Sequence, residues 1–588
     1  MIFENAVISL VLAGLVALPL LEALLRKTLH VGISNSASIV QHLTLVVGML
    51  GAVVAARENR LLALSRLGEL LTGRWQKLAA VIAGSTAVAV SALLATAGVD
   101  FVLAERPSGQ VLAYGLPIWI LQTAIPLGFG LIALRLAGHS AESWRGRAVV
   151  VLSAIVWILL WHWSPMGALA VLSLATLSGV PAFVSLAGVA LVLFKQAGEP
   201  IASIPIAQYS LVTNAILPTI PMFTLAGYVL AEGGAPQRLV RVFQAILGRL
   251  RGGAAIMTAT ACAFFTSFTG GSGVTILALG GLLMPVLLSR RYKERDALGL
   301  ITGAGSLGLL LPPCLPLILY SIVARVPMES MFLGGILPAL VMLIATASWG
   351  IFAQGPSTGD DTPAFDGREA FSALWQAKWE LLMPVVALGA LFGGFATPVE
   401  AAALTALYAL VIETLVYRDL KVTTDLPRVM AECGLLIGGV LLIQSVALGF
   451  TNYLVDAEIM TRAADWATST IHSRWVFLLV LNLFLLIVGC LMEIYAAIVI
   501  QAPLLVTIGH AFGIDPVHLG IIFLANLELG YLTPPVGLNL LLSSYRFKKS
   551  VPEVLRAVTP LTIVMSAGVL LITYVPALTT TLPRWFGR

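Results

Sequence analysis

Apolar segments long enough to cross a lipid bilayer recur along almost the whole chain. A bilayer core about 30 Å thick needs about 20 apolar residues in a helix, and windows of this kind begin near residues 5–25 and end near 555–578. Of the 588 residues, 59% are hydrophobic and only 11% are charged, which excludes a soluble protein. Because lipid offers no hydrogen-bond partners to an open backbone, such segments are helical. The sequence predicts an all-α polytopic membrane protein.

The N-terminal part of the chain, residues 1–140, is predicted to contain four spans, near 5–25, 38–56, 78–98 and 111–134. The connection at 57–77 is basic, which places it and the N-terminus on the cytoplasmic side. The first segment lacks the basic start and the cleavage pattern of a signal peptide, so we expect a retained helix. A connecting segment, 141–164, with one further crossing near 149–163, leads to a larger unit at 165–588.

The larger unit is divided by one long polar stretch, residues 352–371, into halves at about 165–352 and 372–588. Its predicted spans lie near 166–177, 180–197, 212–231, 297–323, 329–351, 380–393, 396–417, 430–448, 519–545 and 555–578. The whole chain then has about 15 transmembrane helices, and the last span leaves the C-terminus on the periplasmic side. The net charge of +5 comes mostly from cytoplasmic loops and does not indicate nucleic-acid binding.

A re-entrant hairpin is predicted between two basic stretches, residues 237–253 and 289–296. Only one apolar stretch separates them, and TSFTGGSG (266–273) interrupts it. If both basic flanks are cytoplasmic, the chain enters and leaves on the same side. The alternative is two ordinary short helices joined by an external turn.

A second apolar hairpin is predicted at residues 475–516, interrupted by GCLMEIY (489–495) and entered from the outside. Each hairpin is followed by a span that adjacent prolines break, at LLLPPCLPLILY (309–320) and YLTPPVGLNLL (531–541). Proline lacks the backbone donor that a helix needs. The same order entered from opposite faces predicts an inverted repeat, an architecture that is common in secondary transporters.

Helices broken inside a membrane expose two kinds of binding group. Freed carbonyl oxygens suit a dehydrated Na⁺ ion, and half-helix N-termini suit an anion. Hydroxyls of Ser267, Thr269, Ser272 and Thr533 lie at the interruptions, and Gly270, Gly271 and Gly273 allow a close backbone approach. Glycine, serine and threonine are also ordinary packing residues of membrane helices, so the paired arrangement carries the prediction.

Acidic residues inside apolar segments are costly and therefore suggest function. Glu493 and Glu528 lie at the second interruption and just before the second break, where either could touch an ion site, end a helix or form a lateral hydrogen bond. Glu400 is expected to form a capping box with Thr397. The four cysteines, Cys262, Cys314, Cys433 and Cys490, lack metal-type spacing and are predicted to be small buried residues.

Three stretches resemble a tripartite ATP-independent periplasmic (TRAP) transporter whose small and large membrane subunits are fused. They are GGFATPVEAAALTALYALVIE (393–413), LLLPPCLPLILY (309–320) and IDPVHLGIIFLANLELGYLTPPVGLNLL (514–541). The large-subunit resemblance covers about 165–585, and residues 1–140 resemble the four-helix small subunit by position and pattern. The resemblance implies an elevator-type transporter, with the small subunit enlarging the static scaffold.

The resemblance also implies partners and coupling ions. It implies Na⁺-driven import of an organic acid, such as a C4-dicarboxylate or a sugar acid, with two or more Na⁺ ions, and a separate periplasmic binding protein that delivers the substrate. We expect a single fused unit, monomeric and surrounded by lipid in the bacterial inner membrane. No enzymatic activity is expected, because none of the predicted membrane helices contains an H-E-x-x-H or G-x-S-x-G sequence.

The resemblance places three sets of site residues on this chain. One Na⁺ site would comprise Ser267, Thr269, Gly270, Gly305, Gly308 and Pro312. The other would comprise Gly489, Glu528, Gly530, Thr533 and Pro534. Substrate contacts would come from Ser267, Thr269, Gly271, Ser272, Pro313, Glu493, Pro535 and Asn539.

One stretch departs from the family pattern. Family members often carry an acidic continuation after the first hairpin tip, whereas this chain reads GGSGVTILALGG (270–281) with no acid.

A stand-alone Na⁺-coupled divalent-anion carrier of similar architecture, which needs no binding protein, is the main alternative. A membrane-embedded enzyme and a channel are the others, although two inverted hairpins suit alternating access better than an open pore.

Overall fold

The computed structural model of the chain describes residues 2–61, 72–140, 143–248, 250, 252–354, 366–534 and 536–587. Apart from one isolated β-bridge between Val111 and Pro117, every regular element in these ranges is a helix. Twelve of the described helices are long and apolar enough to cross a membrane, and a bent helix pair adds a thirteenth span. The prediction of an all-α polytopic membrane protein is confirmed.

The described helices follow one another in this order: α1 Ile2–Thr28, α2 Ser36–Arg57, α3 Arg74–Glu105, α4 Ile118–Gln122, α5 Ala124–His139, α6 Trp144–Trp163, α7 Pro165–Leu177, α8 Ala182–Ala197, α9 Ser203–Val212, α10 Thr219–Glu232, α11 Ala235–Leu247, α12 Gly253–Thr269, α13 Ser272–Ser289, α14 Glu294–Ala304, α15 Leu315–Val323, α16 Met328–Ala353, α17 Gly367–Gln376, α18 Lys378–Phe392, α19 Pro398–Val411, α20 Asp425–Asp456, α21 Ile459–Thr470, α22 Arg474–Leu491, α23 Ile494–Ala511, α24 Pro516–Gly530, α25 Leu538–Phe547, α26 Val551–Tyr574 and α27 Ala577–Trp585. Short 3₁₀ turns lie at Arg106–Ser108 and Leu307–Leu310, and a π turn lies at Ile412–Val416.

The helices form two compact units. The first contains residues 1–221, 430–463 and 499–503. In it, α3 packs against α5, α6, α7, α8 and α9, and α2 packs against α1, α5 and α9. The Glu4 carboxylate accepts hydrogen bonds from Arg57 and Arg135, which ties together the ends of α1, α2 and α5.

Glycine allows a close approach between α2 and α20 within the first unit. A Cβ atom added to Gly51 would lie 2.0 Å from the carbonyl oxygen of Gly434 and 3.1 Å from the Cα of Gly438. Since no side chain can fit in this space, the two backbones touch directly, as small residues allow in membrane helices.

Two predicted spans differ from the helices of the structure. The fourth was predicted from residue 111, yet residues 111–117 form a turn in which Tyr114 and Gly115 have φ values of 51° and 80°, so α4 begins at Ile118. The span predicted at 212–231 is instead α9, a turn and α10. The Asn214 side chain accepts a hydrogen bond from the Ile216 amide at 2.9 Å and closes that turn.

The second unit contains residues 222–429, 464–498 and 504–588. Two runs of helices have the same order: an amphipathic helix, a helical hairpin, a broken helix and a long helix. They are α11, α12–α13, α14–α15 and α16, then α21, α22–α23, α24–α25 and α26. Within this unit α12 packs on α13, α14 and α16, and α24 packs on α22 and α26.

The predicted interruptions are confirmed by the helix boundaries. The first hairpin turns at residues 270–271 and the second at 492–493, inside the predicted stretches. The first broken helix bends by 44° at its break, and the second is broken between α24 and α25. The predicted loops at 57–77 and 352–371 lie partly outside the described residues, at 62–71 and 355–365.

Other local predictions are also confirmed. Thr397 and Glu400 form the expected capping box, with the Thr397 amide donating to the Glu400 carboxylate at 2.8 Å. The four cysteines are all buried and free.

A cluster of ion pairs, which the sequence did not reveal, anchors α11. Arg238 binds Glu380 of α18, Glu413 of the π turn and Asp419, and its guanidinium lies 3.7 Å from the centre of the Tyr417 ring.

Candidate functional site

The first hairpin tip packs directly on the break between α14 and α15. The Thr266 hydroxyl donates to the Gly305 carbonyl oxygen at 2.8 Å and lies 2.6 Å from the Thr275 hydroxyl. A Cβ atom on Gly308 would lie 2.3 Å from the Ala263 carbonyl oxygen and 2.5 Å from the Ser267 amide nitrogen. The backbone of the break therefore touches the last turns of α12, so carbonyl and hydroxyl oxygens lie together.

The second hairpin tip meets the break between α24 and α25 in a similar way. A Cβ atom on Gly530 would lie 2.6 Å from both the Cα and the carbonyl carbon of Gly489. The Gly537 amide donates to the Cys490 carbonyl at 3.4 Å. The Thr533 hydroxyl, which is half-buried, donates to the Gly530 carbonyl oxygen at 2.9 Å. The structure therefore brings Gly489, Gly530 and Thr533 together.

The two hairpin tips also contact each other and the second broken helix. The Tyr495 hydroxyl, in the first turn of α23, donates to the Gly270 carbonyl oxygen at 2.6 Å. The Ser272 hydroxyl donates to Oδ1 of Asn539 at 2.7 Å, and Nδ2 of Asn539 donates to the Thr302 carbonyl at 3.2 Å. Both hairpins and both broken helices thus share one buried polar centre.

Two helices begin at this centre without a capping side chain. α13 starts at Ser272 after Gly271, and α25 starts at Leu538 after Gly537, which has a φ of 53°. Neither cap residue offers a side-chain acceptor to the first amides of its helix. Amides at an uncapped helix N-terminus attract an anion. α23 differs, because the Glu493 carboxylate accepts from the Tyr495 amide at 3.1 Å and caps its start.

Several other predicted residues make local contacts. The Ser267 hydroxyl donates to the Phe264 carbonyl at 2.7 Å, and the Thr269 hydroxyl donates to the Gly271 carbonyl at 3.4 Å. Pro312 and Pro313 are buried in the first break and joined by a cis peptide bond. Pro534 is exposed. Pro535 lies outside the described residues.

Glu528 is separated from the residues with which it was grouped. Its side chain is fully buried, and it lies beside Ser306 of the first break. In the described part of the chain, neither of its carboxylate oxygens has a hydrogen-bond partner of good geometry. Glu528 therefore faces the first break, while Gly530 faces the second hairpin tip.

Sequence reasoning missed four buried polar residues at the centre: Thr266, Thr302, Tyr495 and Tyr531. Thr266 and Tyr495 lie inside the two interruptions, and Tyr531 is the first residue of the second break. Their positions in the sequence could therefore have identified these three residues. The described residues contain no group of three or more acidic, histidine or cysteine side chains that could hold a metal ion.

Comparison with known proteins identifies the family of this chain. The family profile described as "Tripartite ATP-independent periplasmic transporter, DctM component" matches residues 167–578. The profile described as "Tripartite ATP-independent periplasmic transporters, DctQ component" matches residues 15–146. The chain belongs to the TRAP transporter family. It carries both membrane components in one polypeptide.

Its relatives include TRAP permeases with different named substrates. The isethionate TRAP transporter permease protein DctMQ of Oleidesulfovibrio alaskensis is 31% identical over 90% of this chain and 86% of its own length. The C4-dicarboxylate TRAP transporter large permease protein DctM of Pseudomonas aeruginosa is 34% identical over 68% of this chain and 93% of its own. The protein of that name from Rhodobacter capsulatus is 31% identical over 70% and 97%.

Proposed function

We propose that this TRAP permease imports an organic acid by Na⁺ symport, with the substrate delivered by a periplasmic binding protein. The observation that carries the proposal is the meeting of both hairpin tips with both helix breaks in one buried polar centre. Transporters with inverted repeats bind their substrate and coupling ions at such breaks. The proposal assigns the ions to the contacts between tips and breaks, and the substrate to the space between the tips.

The oxygens at the two tip–break contacts suit Na⁺. At the first, they belong to Thr266, Ser267 and the Gly305 backbone, and at the second to Thr533 and the Gly530 backbone. A hydroxyl that donates one hydrogen bond keeps lone pairs for a cation. The fully buried carboxyl group of Glu528 lies beside the first break. Its ionised form is costly without a counter-ion, so a cation bound nearby would favour that form and be stabilised by it.

The uncapped start of α13 suits the acid group of a substrate. Its first amides, together with the second N–H of the Asn539 side chain, can donate hydrogen bonds to an anion. Two relatives are named for isethionate and for C4-dicarboxylates, which are organic anions. A small organic acid is therefore the proposed substrate class.

An elevator movement of the hairpins and broken helices against a static scaffold is part of the proposal, with the small-subunit helices enlarging the scaffold. The positive-inside rule orients the chain, with the N-terminus cytoplasmic and the C-terminus periplasmic in the bacterial inner membrane. The fused chain would act as a monomer surrounded by lipid. The proposal also treats each hairpin as re-entrant, so that it enters and leaves the membrane on the same side and does not cross it.

Uptake by proteoliposomes tests the requirement for a binding protein. The purified chain would be reconstituted with an inward Na⁺ gradient, and uptake of radiolabelled isethionate or a C4-dicarboxylate would be measured with and without candidate periplasmic binding proteins. We expect uptake only when the binding protein is present. Uptake at the full rate without it would favour the stand-alone divalent-anion carrier.

A further inference from the structure

The two hairpin tips and the second break are joined by a closed circuit of hydrogen bonds, here called the tip network: Gly270, Ser272, Ile494, Tyr495, Tyr531 and Asn539. Ser272 donates to the Asn539 side chain, and the Asn539 amide donates to the Tyr531 carbonyl at 3.2 Å. The Ile494 amide donates to the Tyr531 hydroxyl oxygen at 2.9 Å, and the Tyr495 hydroxyl donates to the Gly270 carbonyl at 2.6 Å. Neither hairpin tip can move alone without breaking one of these bonds.

The bond from Tyr495 to Gly270 is the direct link from tip to tip. Tyr495 is only 4% exposed, so water does not readily replace the bond if it breaks, and the cost of breaking it rises accordingly. Gly270 has a φ of 69°, and a Cβ atom there would lie 2.9 Å from the Cβ of Leu315 and 3.4 Å from the Tyr495 hydroxyl. The first tip is therefore held between the first broken helix and the second tip.

We propose that Tyr495 is a positioning residue that couples the two hairpin tips. A tip is closed when it packs on its helix break, and an ion bound at one tip then favours the closed position of the other. An ion that orders residues 266–270 fixes the Gly270 carbonyl where Tyr495 can donate to it. That bond fixes the start of α23 and, through Ile494, the Tyr531 side chain at the second break. Coupling of this kind is reciprocal, so the second ion must favour the first site equally.

The inference rests on the proposed Na⁺ coupling, but one consequence is independent of Na⁺. Cys314 lies in the first break, next to Leu315, and its thiol donates to the Thr266 carbonyl at 3.9 Å. It is fully buried, and its contact with Thr266 places it against the first tip. If Tyr495 holds that tip closed, removing its hydroxyl exposes Cys314 more often.

Two measurements on Tyr495→Phe test the inference, with Tyr320→Phe as the matched control. Tyr320 is another buried tyrosine of the second unit, whose hydroxyl donates to the Pro516 carbonyl at 3.3 Å, away from the tips. The first measurement is the rate of maleimide labelling of Cys314 in the purified chain without Na⁺, with buried Cys433 as the internal reference. The second is a NaCl titration of the unfolding temperature against choline chloride.

For Tyr495→Phe we expect labelling of Cys314 about 2- to 12-fold faster than in wild type, the range for loss of one hydrogen bond. The NaCl concentration for half-maximal stabilisation should rise by a similar factor, with a lower Hill coefficient. Tyr320→Phe should change neither. Equal labelling in the two variants, or an unchanged Na⁺ response in Tyr495→Phe, would overturn the inference. If NaCl fails to stabilise the wild type, the proposed function fails, and the labelling rates alone decide the role of Tyr495.

Discussion

Replacing Gly530 by alanine should separate the second break from its hairpin tip. The new Cβ atom would lie 2.6 Å from the Cα and the carbonyl carbon of Gly489 and 3.0 Å from the Cys490 nitrogen. These are backbone atoms, so no side-chain rotation can relieve the overlap, and the backbones must move apart. Overpacking of this kind costs about 1–3 kcal/mol. If this energy destabilises the ion-bound arrangement, in which the tip packs on the break, the apparent Na⁺ affinity falls by about 5- to 150-fold.

The assay for Gly530→Ala is uptake by proteoliposomes as a function of Na⁺ concentration, with the binding protein present. Gly389→Ala provides the control, because this helical glycine of α18 is exposed and has no atom within 4 Å of the added Cβ. We expect wild-type Na⁺ dependence in the control and a large rise in half-saturation in Gly530→Ala. A Gly530→Ala variant with wild-type uptake at every Na⁺ concentration would refute the packing argument.

Three further predictions follow from single contacts. Thr533→Val should impair Na⁺-dependent uptake more than membrane insertion, because it removes the hydroxyl that meets the Gly530 carbonyl; unchanged Na⁺ dependence at normal expression would contradict this role. Thr397→Ala should lower stability by about 1 kcal/mol through loss of an N-cap, measured as a lower unfolding temperature in detergent. The hydrogen bond from Arg241 lowers the pKa of the exposed Glu369 carboxyl, so this pair stabilises the fold above the ordinary glutamate pKa and ceases to do so as pH falls through the lowered pKa. The difference in unfolding temperature between wild type and Arg241→Gln should therefore be small at neutral pH and shrink in acid, where only the bond from Arg241 to the Gln376 side chain remains to be lost. A difference that does not vary with pH would contradict the pair.

The breaks and tips could be predicted from local chemistry. Adjacent prolines remove consecutive backbone donors, so a helix must end there whatever surrounds it. The glycine-rich stretch at 266–273 similarly favours a turn, and the structure turns at residues 270–271. Both signals depend only on neighbouring residues, which is why their positions were predicted to within a few residues.

The grouping of side chains around each site could not be predicted in the same way. Glu528 and Gly530 are neighbours in sequence, but two residues correspond to about 200° around an α-helix. If Gly530 faces the second tip, Glu528 must point elsewhere, and it lies beside Ser306. The bond from Tyr495 to Gly270 joins positions 225 residues apart. No local pattern in a single sequence reports such a pairing, because it depends on how the two hairpins pack.

The dependence of substrate uptake on a Na⁺ gradient tests the central claim most directly. The reconstituted chain would receive its binding protein loaded with radiolabelled ligand, under an inward gradient of Na⁺, K⁺ or choline at equal ionic strength. The account predicts accumulation only with Na⁺, a Hill coefficient above one for Na⁺, and loss of accumulation when the gradient is collapsed. Equal accumulation in K⁺ or choline would contradict it.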